Sequence, residues 1–244
     1  YGTLIEEIMK RAYTNHPYKW MTIGSMEHLD AASEDDYVNF YKTFYVPNNA
    51  VLSIAGDLNI EQTKKLIDKY FGPIPKGKKP IYRPERGDVP LTSEVRDTIY
   101  DNIQLPAVVQ AYRIPSIKDE DFYAVRMLSQ LLSNGESSRL YKSLVDEQQK
   151  AVYIGAFPYP LEHDGVFITF GFANFGGDPN ALEQSMDEVI FKTQTELIPE
   201  LEFTKLRNSI ETEFVTSNAS MAGIAESLAS KYTYFKNTSL VNTE

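Results

Sequence analysis

One stretch limits the fold more than any other: Tyr37 to Asp57, reading YVNFYKTFYVPNNAVLSIAGD. Tyr37, Phe40, Tyr41, Phe44 and Tyr45 recur at i, i+3, i+4, i+7 and i+8, which draws one wide aromatic face along a helix. Ser33 stands just ahead of Glu34, Asp35 and Asp36, an N-cap followed by acids where the helix dipole favours them. The helix has to stop before Pro47, because a residue preceding proline is pushed out of the α region. Asn48-Asn49 then turns the chain, and Ala50 to Ala55 reads as a short buried strand ending at Gly56-Asp57. A second helix follows, with Ile60, Leu66, Ile67, Tyr70 and Phe71 inward and Gly72-Pro73 as its stop. Helix, turn, strand and helix form a packing unit that contains no chemistry.

The rest of the chain has enough apolar residues, 42% of 244, for one large domain or two smaller ones. No apolar run approaches the ~18 residues that a membrane span needs, and the start lacks a signal-peptide pattern. Tyr1 already sits inside a helical pattern that runs to Tyr13, and Asn237 to Glu244 trail off. The expectation is a piece cut from a longer protein, with any leader that sets its compartment outside it; a bacterial periplasm or cytoplasm is the expected location. A net charge of −10 argues against nucleic acid as a partner, since phosphate binding needs a basic surface. With no cysteine, disulfides, thiolate metal sites and a cysteine nucleophile are excluded.

The run from Gly72 to Pro90 is rich in Pro, Gly and Lys and has no helical or strand period, so it is the most linker-like segment. The expected division is residues 1–80, a linker at 81–95, and a second domain at 96–244. In that second part Glu94–Tyr100, Ala107–Ile114, Ala151–Phe157 and Gly165–Ala173 read as strands. Helices are expected from Asp119-Glu-Asp121 to a stop at Asn134-Gly135, with Phe122, Val125, Met127, Leu128, Leu131 and Leu132 inward, and from Arg139 to about Gln149, capped by Ser137-Ser138. Two more are expected from Asp178 to Leu197 and, as one long helix, from Pro199 toward Tyr234. The last two strands, joined through Pro158–Asp164, are expected to be antiparallel neighbours. Elements in pairs, β-β-α-α-β-β-α-α, predict an α+β fold with helices on a mixed, largely antiparallel sheet.

Chemistry is sparse. The three histidines, His16, His28 and His163, show neither His-x-x-Glu-His nor His-Glu-x-x-His spacing, whereas zinc needs three or four ligands brought close together. Glu27-His28 with Asp30, and Glu162-His163-Asp164, are local donor clusters in turns where adjacent side chains diverge. Asn134-Gly-Glu-Ser-Ser138 has one glycine and reads as a helix-helix turn rather than a phosphate loop. Asp35-Asp36 and Asp119-Asp121 start helices, where the dipole accounts for them.

The order of motifs nevertheless resembles a known family. His16-Pro-Tyr18, Ile23-Gly24, the acidic helix ending Phe44-Tyr-Val-Pro-Asn-Asn49, Leu52-Ser-Ile-Ala-Gly-Asp57, and Leu131-Leu132 with Asn134-Gly-Glu-Ser-Ser-Arg-Leu-Tyr141 are similar to the pitrilysin/insulinase-type zinc metallopeptidases. That family includes bacterial zinc proteases and the mitochondrial processing peptidase. The resemblance implies a metal site on an inverted His-x-x-Glu-His helix plus a downstream glutamate, with the motif's glutamate activating water. None of those positions is in this chain, so zinc is expected in an upstream segment and no metal or catalytic residue carries over. The chain is then a noncatalytic, chamber-forming domain of a zinc metalloendopeptidase that degrades or processes peptides, inactive by itself. The alternative is a structural or inactive partner subunit of the same ancestry.

The silent half of such proteins carries an arginine and a tyrosine, seven apart, that hold substrate near zinc. Tyr153 in Lys150-Ala-Val-Tyr-Ile-Gly155 matches the tyrosine, while Asp146 stands where the arginine would be, and an acid cannot replace a guanidinium. The expected partners are a peptide substrate, the upstream zinc-bearing segment, and a second peptidase-like half, fused or separate. A second copy pairing at exposed sheet edges is a further expected partner. The acidic balance suits basic or extended peptides.

Overall fold

The computed structural model describes residues 2–85 and 87–243; Tyr1, Arg86 in the linker-like run, and Glu244 lie outside them. The described chain groups into two units, one made of residues up to 21 with 86–211, the other of 22–85 with those from 212 onward. These units do not follow the chain-order division at 80 and 96. The opening helix belongs with the later residues because its apolar side closes their sheet.

The first unit holds a three-stranded sheet of β1 (Ala107–Pro115), β2 (Ala151–Pro160) and β3 (Asp164–Ala173), in the order β1-β3-β2. Both pairings are antiparallel, with Ala111 opposite Ile168 and Phe157 opposite Ile168 on the two sides of the central strand. The fold class and the β2–β3 pairing are as the sequence predicts. β3 is buried along most of its length, which suits its near-continuous apolar run.

Because side chains alternate across a strand, β3 feeds two cores. Phe167 and Ala173 join Ile154 and Ala156 of β2 against Leu132 of α5 (Asp121–Ser133), Leu140 of α6 (Arg139–Tyr141), and Leu182, Met186 and Val189 of α7 (Pro179–Thr195). Val166 and Ile168 point the other way and pack on Ile8, Met9 and Ala12 of α1 (Leu4–Ala12) and on Tyr13. The free edge of β2 is blunted at Ala156, whose carbonyl oxygen accepts from the Ser129 and Ser133 hydroxyls of α5 at 3.0 and 2.7 Å. An edge satisfied by side chains is a poor template for a further strand.

Three expectations for this unit need correction. Glu94–Tyr100 is extended but forms no ladder. Its side chains do alternate, Arg96 pairing with Glu183 on α7 and Asp97 with Arg11 on α1, yet its backbone turns to local partners. The Thr98 N–H donates to the neighbouring Asp97 carboxylate at 2.7 Å. Ser138 sits at the N-cap position of α6 without making the cap bond, and its hydroxyl is buried without a partner. The helix from Arg139 also widens into π-helical turns over Lys142–Glu147 before Gln149 takes a left-handed φ of 52°.

The second unit contains α2 (Met26–Ala31), α3 (Glu34–Phe44), α4 (Ile60–Tyr70) and α9 (Met221–Phe235). Local signals are obeyed closely. Ser33 and Asp36 form a reciprocal capping box at the start of α3. The Asn49 amide donates to the Phe44 carbonyl at 2.9 Å, and the Asn48 side chain accepts from the Gly77 N–H at 2.7 Å. Yet none of its described residues is buried. Ala50–Ala55 is extended but is not a strand, and Val51, Leu52 and Ile54 are exposed. A strand exists only in a ladder, and no second strand stands beside it among the described residues of this unit.

The long helix expected from Pro199 is two helices, α8 (Glu200–Ser217) and α9. Ser217 and Asn218 side chains draw on the Phe214 carbonyl, and Ser220 caps α9 by accepting from the Gly223 N–H at 3.0 Å. Short polar side chains that bond to nearby backbone end a helix this way.

Candidate functional site

Tyr153 is the one site residue that the sequence puts forward. It follows an irregularity in β2, between Ala151 and Tyr153, and lies opposite Phe172. By strand alternation it shares a face with Gly155 and Phe157, and across the ladder with Phe170 and Phe172. The Tyr153 ring stacks on Phe172 at 6.1 Å between centroids and tilts toward Phe170 at 5.8 Å. Gly155 makes room for this cluster, because a Cβ there would lie 2.6 Å from the Phe170 ring. α1 and Tyr13 close the same face at Val166 and Ile168, but the Tyr153 end stays open and its side chain is 55% exposed. The result is an aromatic shelf with a phenol at its rim, able to take apolar contact and one hydrogen bond. Asp146, seven positions earlier, is exposed on the π-helical turns.

The second assembly surrounds His16-Pro-Tyr18. The Thr14, Asn15 and His16 N–H groups converge on the Asp88 carboxylate at 2.6, 2.9 and 3.3 Å. Burial alone would raise the Asp88 pKa, but these donors, with the Val89 N–H, outweigh it and hold the carboxyl down at about 2. Tyr13 donates its hydroxyl to Asp164 at 2.7 Å. Arg113 reaches the other Asp164 oxygen at 2.5 Å and the Ala12 carbonyl at 2.8 Å, with its guanidinium 4.1 Å from the Tyr13 ring centroid. Burial, then the bond to Asp164, pushes the Tyr13 hydroxyl pKa upward. These bonds fasten residues 12–16 to the ends of β1 and β3.

The fold also brings His16 beside His163, their rings edge to face at 5.9 Å. No local spacing signals this, because the two are 147 positions apart (163 − 16). His16 Nδ1 already accepts from the Tyr18 N–H at 3.2 Å, and His16 Nε2 is buried without a hydrogen-bond partner among the described residues. The neighbouring acids are engaged, Glu162 with Lys118 at 2.8 Å and Asp164 with Arg113 and Tyr13. His28, with Glu27 and Asp30, lies on exposed α2. Among the described residues no group of three or more His, Cys, Asp or Glu could hold a metal ion. No described helix is long and apolar enough to cross a membrane.

Comparison with known proteins places the chain among zinc-protease relatives. The chain is 28% identical over 231 residues to zinc protease PqqE of Helicobacter pylori, covering 92% of this chain and 51% of that protein. It is 24% identical over 193 residues to the uncharacterized zinc protease YmxG of Bacillus subtilis, covering 78% and 44%. The chain thus spans about half the length of these relatives. A crystal structure of a protease from Helicobacter pylori matches with a TM-score of 0.85 at 25% identity, covering 99% of this chain and 59% of that one. The peptidase M16 inactive domain from Pseudomonas fluorescens matches with a TM-score of 0.78 over 98% of this chain and 56% of that one; at 18% identity it speaks to the fold alone. The family model described as the peptidase M16 inactive domain matches residues 31–210, well over half of the sequence, and the chain belongs to that family.

Proposed function

We propose that this chain is a wall of the chamber of a zinc metalloendopeptidase whose metal is held by a segment outside these residues. Tyr153 then faces the peptide. The observation that carries the reading is the open aromatic shelf: a family domain with a complete helix-packed core leaves a tyrosine exposed at the end of one sheet face. An aromatic side chain with a polar tip is suited to contact with an extended peptide, the ring packing on it while the hydroxyl hydrogen-bonds. With Asp146 in the arginine position, Tyr153 supplies stacking and a hydroxyl rather than half of a charged clamp. An arginine-tyrosine pair, where one operates, comes from a second peptidase-like half. The acidic balance of the chain suits basic or extended peptides.

The test uses the longer protein that contains the zinc-bearing segment, with short unfolded peptides as substrates. Tyr153→Ala should raise KM several-fold with little change in the amount of bound zinc, and Tyr153→Phe should recover most of the loss where the ring matters. Unchanged kinetics in both variants would remove Tyr153 from the substrate path. A longer protein that stays inert with zinc bound would favour the structural-subunit reading.

A further inference from the structure

The sequence contains one Asn-Gly dipeptide, Asn134-Gly135, and one Asp-Gly dipeptide, Asp164-Gly165. Glycine after Asn or Asp leaves the backbone nitrogen unhindered for attack on the side-chain carbonyl carbon, so both are chemically labile in a free chain. The fold treats them oppositely. Asp164 is gripped by Tyr13 and Arg113, and Gly165 is buried in β3 opposite both Ile114 and Pro160. A Cβ at Gly165 would lie 2.6 Å from the Tyr159 carbonyl oxygen, so that backbone has no room to bend.

Asn134 instead is exposed at the C-cap of α5. Gly135 has a left-handed φ of 77° and nothing within 4 Å of where a Cβ would stand. The Gly135 carbonyl is engaged by the Ser138 N–H at 3.1 Å, while the Gly135 N–H, the attacking group, has no hydrogen-bond partner among the described residues. The Asn134 amide nitrogen, the leaving group, donates to Gln130 and more weakly to Ser209 at 3.4 Å.

We propose that Asn134 is a site of spontaneous deamidation in the folded protein, while Asp164 is protected from the matching isomerisation. The Gly135 backbone nitrogen forms a bond to Asn134 Cγ and loses its proton, the Cγ–Nδ2 bond breaks, and ammonia departs. Water then opens the resulting ring imide at either carbonyl, leaving aspartate or isoaspartate; no electron is transferred. The product exchanges an amide donor to Gln130 and Ser209 for a carboxylate at the C-terminal end of α5, where the helix dipole disfavours a negative charge. The isoaspartyl form also lengthens the backbone of the turn that leads into Ser137-Ser138-Arg139.

The experiment holds the whole chain at mildly alkaline pH and warm temperature and follows it by charge separation and peptide mapping with isoaspartate detection. The expected result is a growing acidic form located at Asn134, formed on the order of tenfold faster than at any other asparagine. The Asp164-Gly165 peptide should remain unchanged, and Asn134→Gln should remove the acidic form. Retention of the Asn134 amide in the folded chain, while the chain unfolded in urea converts there, would overturn the proposal. Isomerisation of Asp164 in the folded chain at a rate like that of Asn134 would overturn it equally.

Discussion

The two units receive the same kind of sequence and reach different ends. In the first, helices with one apolar stripe meet a sheet, and Leu140, Leu144, Val166, Ile168, Leu182 and Met186 lose all contact with solvent. In the second, α3 carries the broadest aromatic stripe in the chain, yet Tyr37, Phe40, Tyr41 and Tyr45 stay exposed. Caps, turns and helix periods are as well formed there as in the first unit. Among its described residues the second unit shows no surface for its stripes to close against, since the strand-like Ala50–Ala55 has no ladder. Secondary structure is a local property, whereas burial requires a partner of matching shape, and most helix stability comes from that partner.

This contrast can be broken most sharply by truncating apolar side chains in each unit and measuring urea unfolding. Leu132→Ala should cost about 2–5 kcal/mol, because its cavity sits in a filled core. Ile54→Ala or Leu66→Ala in the chain alone should fall within about 0.5 kcal/mol. Equal costs in both units would show that the second is closed in solution. Asp164→Asn should cost about 2–4 kcal/mol, since it disturbs the grips of Tyr13 and Arg113 together at a half-buried site.

Acid sharpens the comparison further. The Asp88 carboxyl sits at about 2 when folded against 3.8 for the free group. Its contribution, roughly 2 kcal/mol, is therefore complete above the unfolded value and lost as pH falls through about 2. Loss of α1 docking at low pH, followed by Tyr13 fluorescence or proton exchange, should disappear as a distinct step in Asp88→Asn. A profile that the substitution leaves unchanged would contradict the role given to that carboxylate. The smallest effect is expected at Gln149, whose φ of 52° penalises a side chain. Gln149→Gly should stabilise the first unit by up to about 1 kcal/mol.

The sequence made the helices of both units readable because their periods, caps and stops are local. Ser33, Pro47 and Asp178 mark boundaries that the structure keeps. β2 and β3 were equally clear, each an apolar run with turn residues between them. Ala50–Ala55 and Glu94–Tyr100 have the composition of strands but no ladder, because strand propensity does not specify a neighbour. The split between α8 and α9 carries a local signal, Ser217-Asn218-Ala219-Ser220, whose short polar side chains bond the nearby backbone. Tyr153 was found through motif order, but its openness follows from how far α1 extends across one face of the sheet. The His16–His163 pair lay beyond reach, since only the register of Tyr13 and Arg113 on Asp164 brings those segments together.

The central claim is that this chain shapes a proteolytic chamber without supplying its metal. It is tested most directly by assaying the purified chain for hydrolysis of short unfolded peptides across a zinc titration, alone and after addition of the zinc-bearing segment. No turnover alone and zinc-dependent turnover on reconstitution is the predicted result. Zinc-dependent cleavage by these residues alone would contradict it.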